Sequence, residues 1–133
     1  MKKIILSLML LFSFSFAQVI NFPISKNVVN SGIKIIDIRT KPEWLQTGII
    51  KGSKTITFFD ELGGYNVPKF LKELNAYVKK GEKFAIVCRT GHRSRIVAKF
   101  LSENGYPKVI DLLGGVNALA KDNYKFVKYE KNR

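Results

Sequence analysis

Apolar residues fall into two kinds of run along this chain, short continuous blocks and longer stretches with helical spacing. Lys34-Ile35-Ile36-Asp37-Ile38 is a β-branched block and predicts a buried strand. Thr40-Lys41-Pro42-Glu43 follows with a capping residue, an early proline and a glutamate three positions after the cap, which together mark a helix start. Gly48 ends that helix early, and Thr55-Ile56-Thr57-Phe58 predicts another short strand. Beyond a loop at Gly63-Gly64-Tyr65, Asn66 caps a helix with Pro68 in its first turn. Phe70, Leu71, Leu74, Tyr77 and Val78 share one face of it, and Lys80-Gly81 closes it. Phe84-Ala85-Ile86-Val87 has no polar member and predicts a central strand. A polar loop from Cys88 to Arg93 leads to a helix striped by Ile96, Val97, Phe100 and Leu101, which ends near Asn104-Gly105. Lys108-Val109-Ile110 is the last clear strand, and Gly114-Gly115 opens a short helix through Leu119. The basic tail after about residue 121 is expected to be weakly packed. Strands alternating with helices predict an α/β fold, an open and mostly parallel sheet with helices on both faces.

The N-terminal segment has a different pattern. Lys2 and Lys3 precede an apolar run from Ile4 to Phe16, broken only by Ser7, Ser13 and Ser15. Ser15-Phe16-Ala17 puts small residues three and one before a cut that leaves Gln18 as the new N-terminus, the pattern of an export signal. The run has 13 residues, whereas a spanning helix needs about 20. The expectation is a cleaved signal peptide at 1–17, a single domain at 18–133, and no stable membrane insertion after cleavage. The protein is expected to be exported, and periplasmic in a Gram-negative bacterium.

Composition then narrows the chemistry. Lys and Arg number 23 against 10 Asp and Glu, a formal net charge of +13, and loss of residues 1–17 removes only Lys2 and Lys3 from it. The excess is mostly lysine and reads as a solvated surface that also suits docking on an acidic protein partner. Export argues against nucleic acid. One cysteine excludes an intramolecular disulfide, and the single histidine, His92, excludes a multi-histidine metal site.

That cysteine, Cys88, ends the all-apolar strand, and in open α/β sheets ligands bind at the carboxyl ends of strands. Arg89, Thr90, Gly91, His92, Arg93 and Ser94 follow it. Gly91 lets the chain curl so that successive amide N–H groups point inward, and such a nest at a helix N-terminus binds anions. The field there favours a thiolate. Arg89, His92, Arg93 and Arg95 add positive charge, and three of the chain's five arginines lie between 89 and 95.

Cys88-Arg89-Thr90-Gly91-His92-Arg93-Ser94 resembles the active-site loop of rhodanese-like single-domain sulfurtransferases, the thiosulfate sulfurtransferase family. Asp37-Ile38-Arg39, Glu43-Trp44, Gly48-Ile49-Ile50 and Gly52-Ser53 are similar to the family's N-terminal signature. Leu113-Gly114-Gly115-Val116 is similar to the Gly-Gly segment after its last strand. Ile49 stands where the family often has His, and Ser53 where it usually has Ala. Asp37 and Arg39 read as fold-supporting, through hydrogen bonds or a pair with Glu43.

The resemblance implies a rhodanese-like fold and a Cys88 thiolate that takes the outer sulfur of a small anionic donor such as thiosulfate. Cys88 becomes a persulfide and yields the sulfur to a thiophilic acceptor, cyanide or a thiol. It further implies that the amides from Arg89 to Ser94 cradle the anion, that Arg89 and Arg93 attract the donor, and that no metal or organic cofactor takes part. Two rival readings share the fold. One is a phosphatase or arsenate reductase, whose loop is one residue longer than the four residues that separate Cys88 from Arg93 here. The other is a persulfide carrier or binding module without steady-state turnover.

Overall fold

Short apolar blocks buried on both faces can pair in parallel only if helices carry the chain back across the sheet. In the computed structural model, which describes residues 18–131, the elements alternate accordingly. They are β1 (Ile20–Pro23), α1 (Lys26–Val29), β2 (Lys34–Asp37), α2 (Lys41–Thr47), β3 (Lys54–Thr55), α3 (Val67–Asn75), β4 (Phe84–Val87), α4 (His92–Glu103), β5 (Val109–Leu113) and α5 (Gly115–Lys121). The strands form one sheet in the order β1-β5-β4-β2-β3, and every pairing is parallel. The expected cleavage after Ala17 lies outside the described residues.

β4 shows how the pattern makes two cores. Phe84 and Ile86 join Ile36, Phe70 and Leu74 of α3, and Val97, Ala98 and Leu101 of α4. Ala85 and Val87 face the opposite way and pack with Ile35, Val29 of α1, and Val116 and Leu119 of α5. Successive side chains on a strand point to opposite faces, so four consecutive apolar residues serve both cores. The α/β sheet with helices on both faces is therefore as the alternation of elements predicts.

Several boundaries differ from the sequence pattern. β1 was not anticipated, because Asn21 and Pro23 read as breakers; it is an edge strand beside β5, where a proline costs no ladder bond on its open side. The strand expected over Thr55–Phe58 is assigned only at Lys54–Thr55. β2 stops at Asp37, although Ile56 and Phe58 still donate N–H bonds to the Asp37 and Ile38 carbonyls at 3.0 and 3.2 Å. α3 ends at Asn75 rather than near Lys80, and a tight turn buries Val78 instead. β5 runs on through Asp111 to Leu113. Beyond α5, Tyr124 and Phe126 pack against the second core, Val127 bridges Ile49 in antiparallel fashion, and Tyr129 lies on Trp44 with ring centroids 5.1 Å apart.

Candidate active site

Cys88 immediately follows β4 in the middle of the sheet and is 1% exposed. Two backbone N–H groups donate to its Sγ, from Gly91 at 3.1 Å and from Ser94 at 3.3 Å. The helix begins sooner than its apolar stripe suggests, at His92, with Gly91 as the capping residue in the left-handed region at φ 96°. His92, Arg93 and Ser94 are therefore the first turn of α4, whose amides have no partner within the helix. The Ser94 amide is one of these, and with the helix dipole it makes the surroundings of the sulfur favourable to negative charge.

The residues after the Gly-Gly segment anchor the start of the loop. Val116 N–H donates to the Cys88 carbonyl at 2.9 Å and Asn117 N–H to the Arg89 carbonyl at 3.0 Å. Those two bonds tie the start of the loop to the first turn of α5. Gly115 sits at φ 63°, and a Cβ there would collide with the Cys88 and Arg89 carbonyl groups. The loop and the last helix can approach this closely only because that position is glycine.

The arginines divide by partner. Arg93 forms a two-pronged ion pair with Glu43 of α2, Nη1 to Oε1 at 2.7 Å and Nη2 to Oε2 at 2.8 Å. Partial burial pushes the Glu43 carboxyl up, but the Arg93 bonds and charge, with the bonds from Thr40, outweigh it and hold its pKa at about 2. Arg39 is fully buried and pairs with Asp37 at 2.8 Å; its other bonds reach Thr47 Oγ1 and the Gly48 carbonyl. Of the two expected ways for Asp37 and Arg39 to support the fold, hydrogen bonds or a pair with Glu43, the structure has the first: they bond each other, and Glu43 pairs with Arg93. Arg39 follows Asp37 closely enough to fold back onto it, which leaves Glu43 to reach across to α4. Arg89, Thr90 and His92 are exposed. Arg89, Arg93, Glu43, Asp60 and Glu61 are among the residues that line a cavity of about 370 Å³. Among the described residues no three His, Cys, Asp or Glu side chains converge as a metal site would require.

Residues 23–122 match the family profile of the Rhodanese-like domain. The chain belongs to the rhodanese-like family. It is similar to a chloroplastic thiosulfate sulfurtransferase of Arabidopsis thaliana, 24% identical over 77% of this chain and 87% of that protein. Among solved structures, a rhodanese-like domain protein from Staphylococcus aureus superposes with a TM-score of 0.58 at 23% identity, over 83% of this chain and all of that one. A protein of unknown function from Rhodopseudomonas palustris, described as a possible tyrosine phosphatase, superposes with a TM-score of 0.52 at 27% identity, over 71% of this chain and 70% of that one.

One residue of this rhodanese-like site escaped the sequence pattern. Asp111 of β5 is fully buried, with its Oδ1 in hydrogen-bond contact with Ser94 Oγ at 2.6 Å. The available signal was a lone carboxylate inside the apolar block Val109–Leu113, three residues before the Gly-Gly segment. Burial pushes its carboxyl above the ordinary range, against the Ser94 hydrogen bond and the charge of Arg95.

Proposed function

We propose that this rhodanese-like domain is a sulfurtransferase that moves sulfane sulfur from an anionic donor such as thiosulfate to cyanide or a thiol through a persulfide on Cys88. The observation that carries the reading is the pair of amide N–H groups, from Gly91 and Ser94, aimed at the sulfur of the chain's only cysteine. The Cys88 thiolate attacks the outer sulfur of thiosulfate; the bond between the two thiosulfate sulfurs breaks and sulfite leaves with its electron pair. The persulfide's terminal sulfur carries the negative charge in the same nest. Cyanide or a thiolate then attacks that sulfur, and Cys88 departs as thiolate. Two half-reactions through one covalent intermediate give ping-pong kinetics.

The two arginines that line that cavity have different roles in this scheme. Arg89 is exposed and supplies the free positive charge that draws the donor in. Arg93 is already held by Glu43, so a donor engages it only in competition with that carboxylate. The same pair speaks against phosphoryl chemistry, in which an arginine must clasp the tetrahedral anion, and the short Cys88-to-Arg93 spacing agrees. A second reading is a persulfide carrier without steady-state turnover, for which the excess of basic residues offers a docking surface to an acidic partner. We further propose export of the mature domain from the pattern of residues 1–17; N-terminal sequencing of the secreted or periplasmic protein should begin at Gln18.

Thiosulfate:cyanide turnover of the mature protein, measured beside Cys88→Ser, tests the central reading. Turnover in the wild type that vanishes in the variant supports the enzyme. A Cys88 adduct heavier by one sulfur atom, with negligible turnover, supports the carrier. Turnover retained by Cys88→Ser would sink both.

A further inference from the structure

Asp111 is a buried carboxyl group to which sulfur transfer through Cys88 assigns no step. It lies in the middle of β5, level with Ile86 of β4 and Asn21 of β1. Its side chain meets one polar partner, Ser94 Oγ at 2.6 Å from Oδ1, and Oδ2 has none among the described residues. Ser94 is itself fully buried and joins three things. Its Oγ touches Asp111, the same Oγ lies 3.3 Å from the Gly91 carbonyl oxygen, and its backbone N–H donates to Cys88 Sγ. The titratable or charged groups that bear on Asp111 are the Cys88 thiol, by way of Ser94, and Arg95 on α4.

Counting hydrogens sets the direction of this chain. An ionised Asp111 takes the one hydroxyl proton of Ser94, and no proton is left for the approach between Ser94 Oγ and the Gly91 carbonyl. A neutral Asp111 with its proton on Oδ1 donates to Ser94 Oγ, and the Ser94 hydroxyl then donates onward to the Gly91 carbonyl. Both approaches become hydrogen bonds. A buried carboxylate with a single neutral donor is costly to keep ionised, and a negative sulfur on Cys88 adds like-charge repulsion.

We propose that Asp111 is a positioning residue that holds a proton beside the nucleophile and, through Ser94, fixes the two backbone N–H groups that face the Cys88 sulfur. One group is the Ser94 amide; the other belongs to Gly91, whose carbonyl the Ser94 hydroxyl tethers. The proposal rests on Cys88 being a nucleophile and not on which donor it attacks.

The test is the rate of Cys88 alkylation by iodoacetamide across a pH series, which needs no sulfur donor. Asp111→Ala and Ser94→Ala cut the chain at different links. Each should slow alkylation at neutral pH by about tenfold, the rate equivalent of one lost hydrogen bond, and move the profile's midpoint to higher pH. Asp111→Asn is neutral and can donate to Ser94 Oγ, so it should restore most of the rate and the midpoint. If Asp111→Ala does not fold, the Ser94→Ala and Asp111→Asn profiles carry the test. The proposal is overturned if Ser94→Ala alkylates as the wild type does. It is equally overturned if the Asp111→Asn midpoint moves to lower pH, the sign that the native carboxyl was negative. Absence of thiosulfate:cyanide turnover in the wild type would end the sulfurtransferase reading and leave this measurement intact.

Discussion

Glu43→Gln removes one charge from the ion pair that ties α2 to the first turn of α4. Glu43 falls from 4.5 to about 2 on folding, which would be worth at most about 3 kcal/mol if it all appeared as stability. Both side chains retain about a quarter of their exposure, so solvent screening reduces the contribution to about 1–2 kcal/mol. The sign follows from linkage. A carboxyl lowered in the folded state adds stability that is fully present above its unfolded value of 4.5 and is lost as pH falls through about 2. The melting temperature of Glu43→Gln at neutral pH should therefore lie roughly 4–8 °C below the wild type. The gap should narrow steadily below pH 4.5. Thermal unfolding of both proteins from neutral pH to about pH 2 reads this directly. A gap that stays constant across the series, or is absent at neutral pH, refutes the assignment of the shift to the Arg93 pair.

Two further outcomes follow from the same geometry. Gly115→Ala forces a Cβ into the Cys88 and Arg89 carbonyls at a positive φ; it should cost about 2 kcal/mol or more in denaturant unfolding and slow Cys88 alkylation together, and an unaffected variant would mean the loop does not depend on that close approach. Arg89→Ala should raise the apparent KM for thiosulfate about three- to tenfold at low salt and much less near 1 M, where the Debye length is about 3 Å; a salt-independent effect would point to a direct contact rather than to long-range attraction.

Much of the frame was legible because it depends on neighbours in sequence. The Thr40–Glu43 capping box, the Asn66 cap, the left-handed Gly91 and the unbroken apolar block at Phe84–Val87 obey local rules, and the structure realises each. The loop from Cys88 to Ser94 was legible for the same reason, since one strand end, one glycine and one helix start lie within seven residues. β1 was not, because Asn21 and Pro23 read as breakers and outweighed Ile20 and Phe22; β5 beside it supplies the partner.

The ion pairs and the buried acid belong to a different level. Sequence alone marked the lone cysteine and its short glycine-containing loop as the candidate site, and determined that strands and helices alternate. It left open that Glu43 grips Arg93 fifty positions away while Asp37 keeps Arg39, and that Asp111 meets Ser94 across seventeen. Periodicity records which face of an element is apolar, but not which strand lies beside which. Once the order β1-β5-β4-β2-β3 is set, α2 meets α4 and β5 runs past the Cys88 loop. Only then do desolvation and charge act between residues distant in the chain, and those contacts decide that Arg93 is held by Glu43 and that a buried carboxyl group lies behind Ser94.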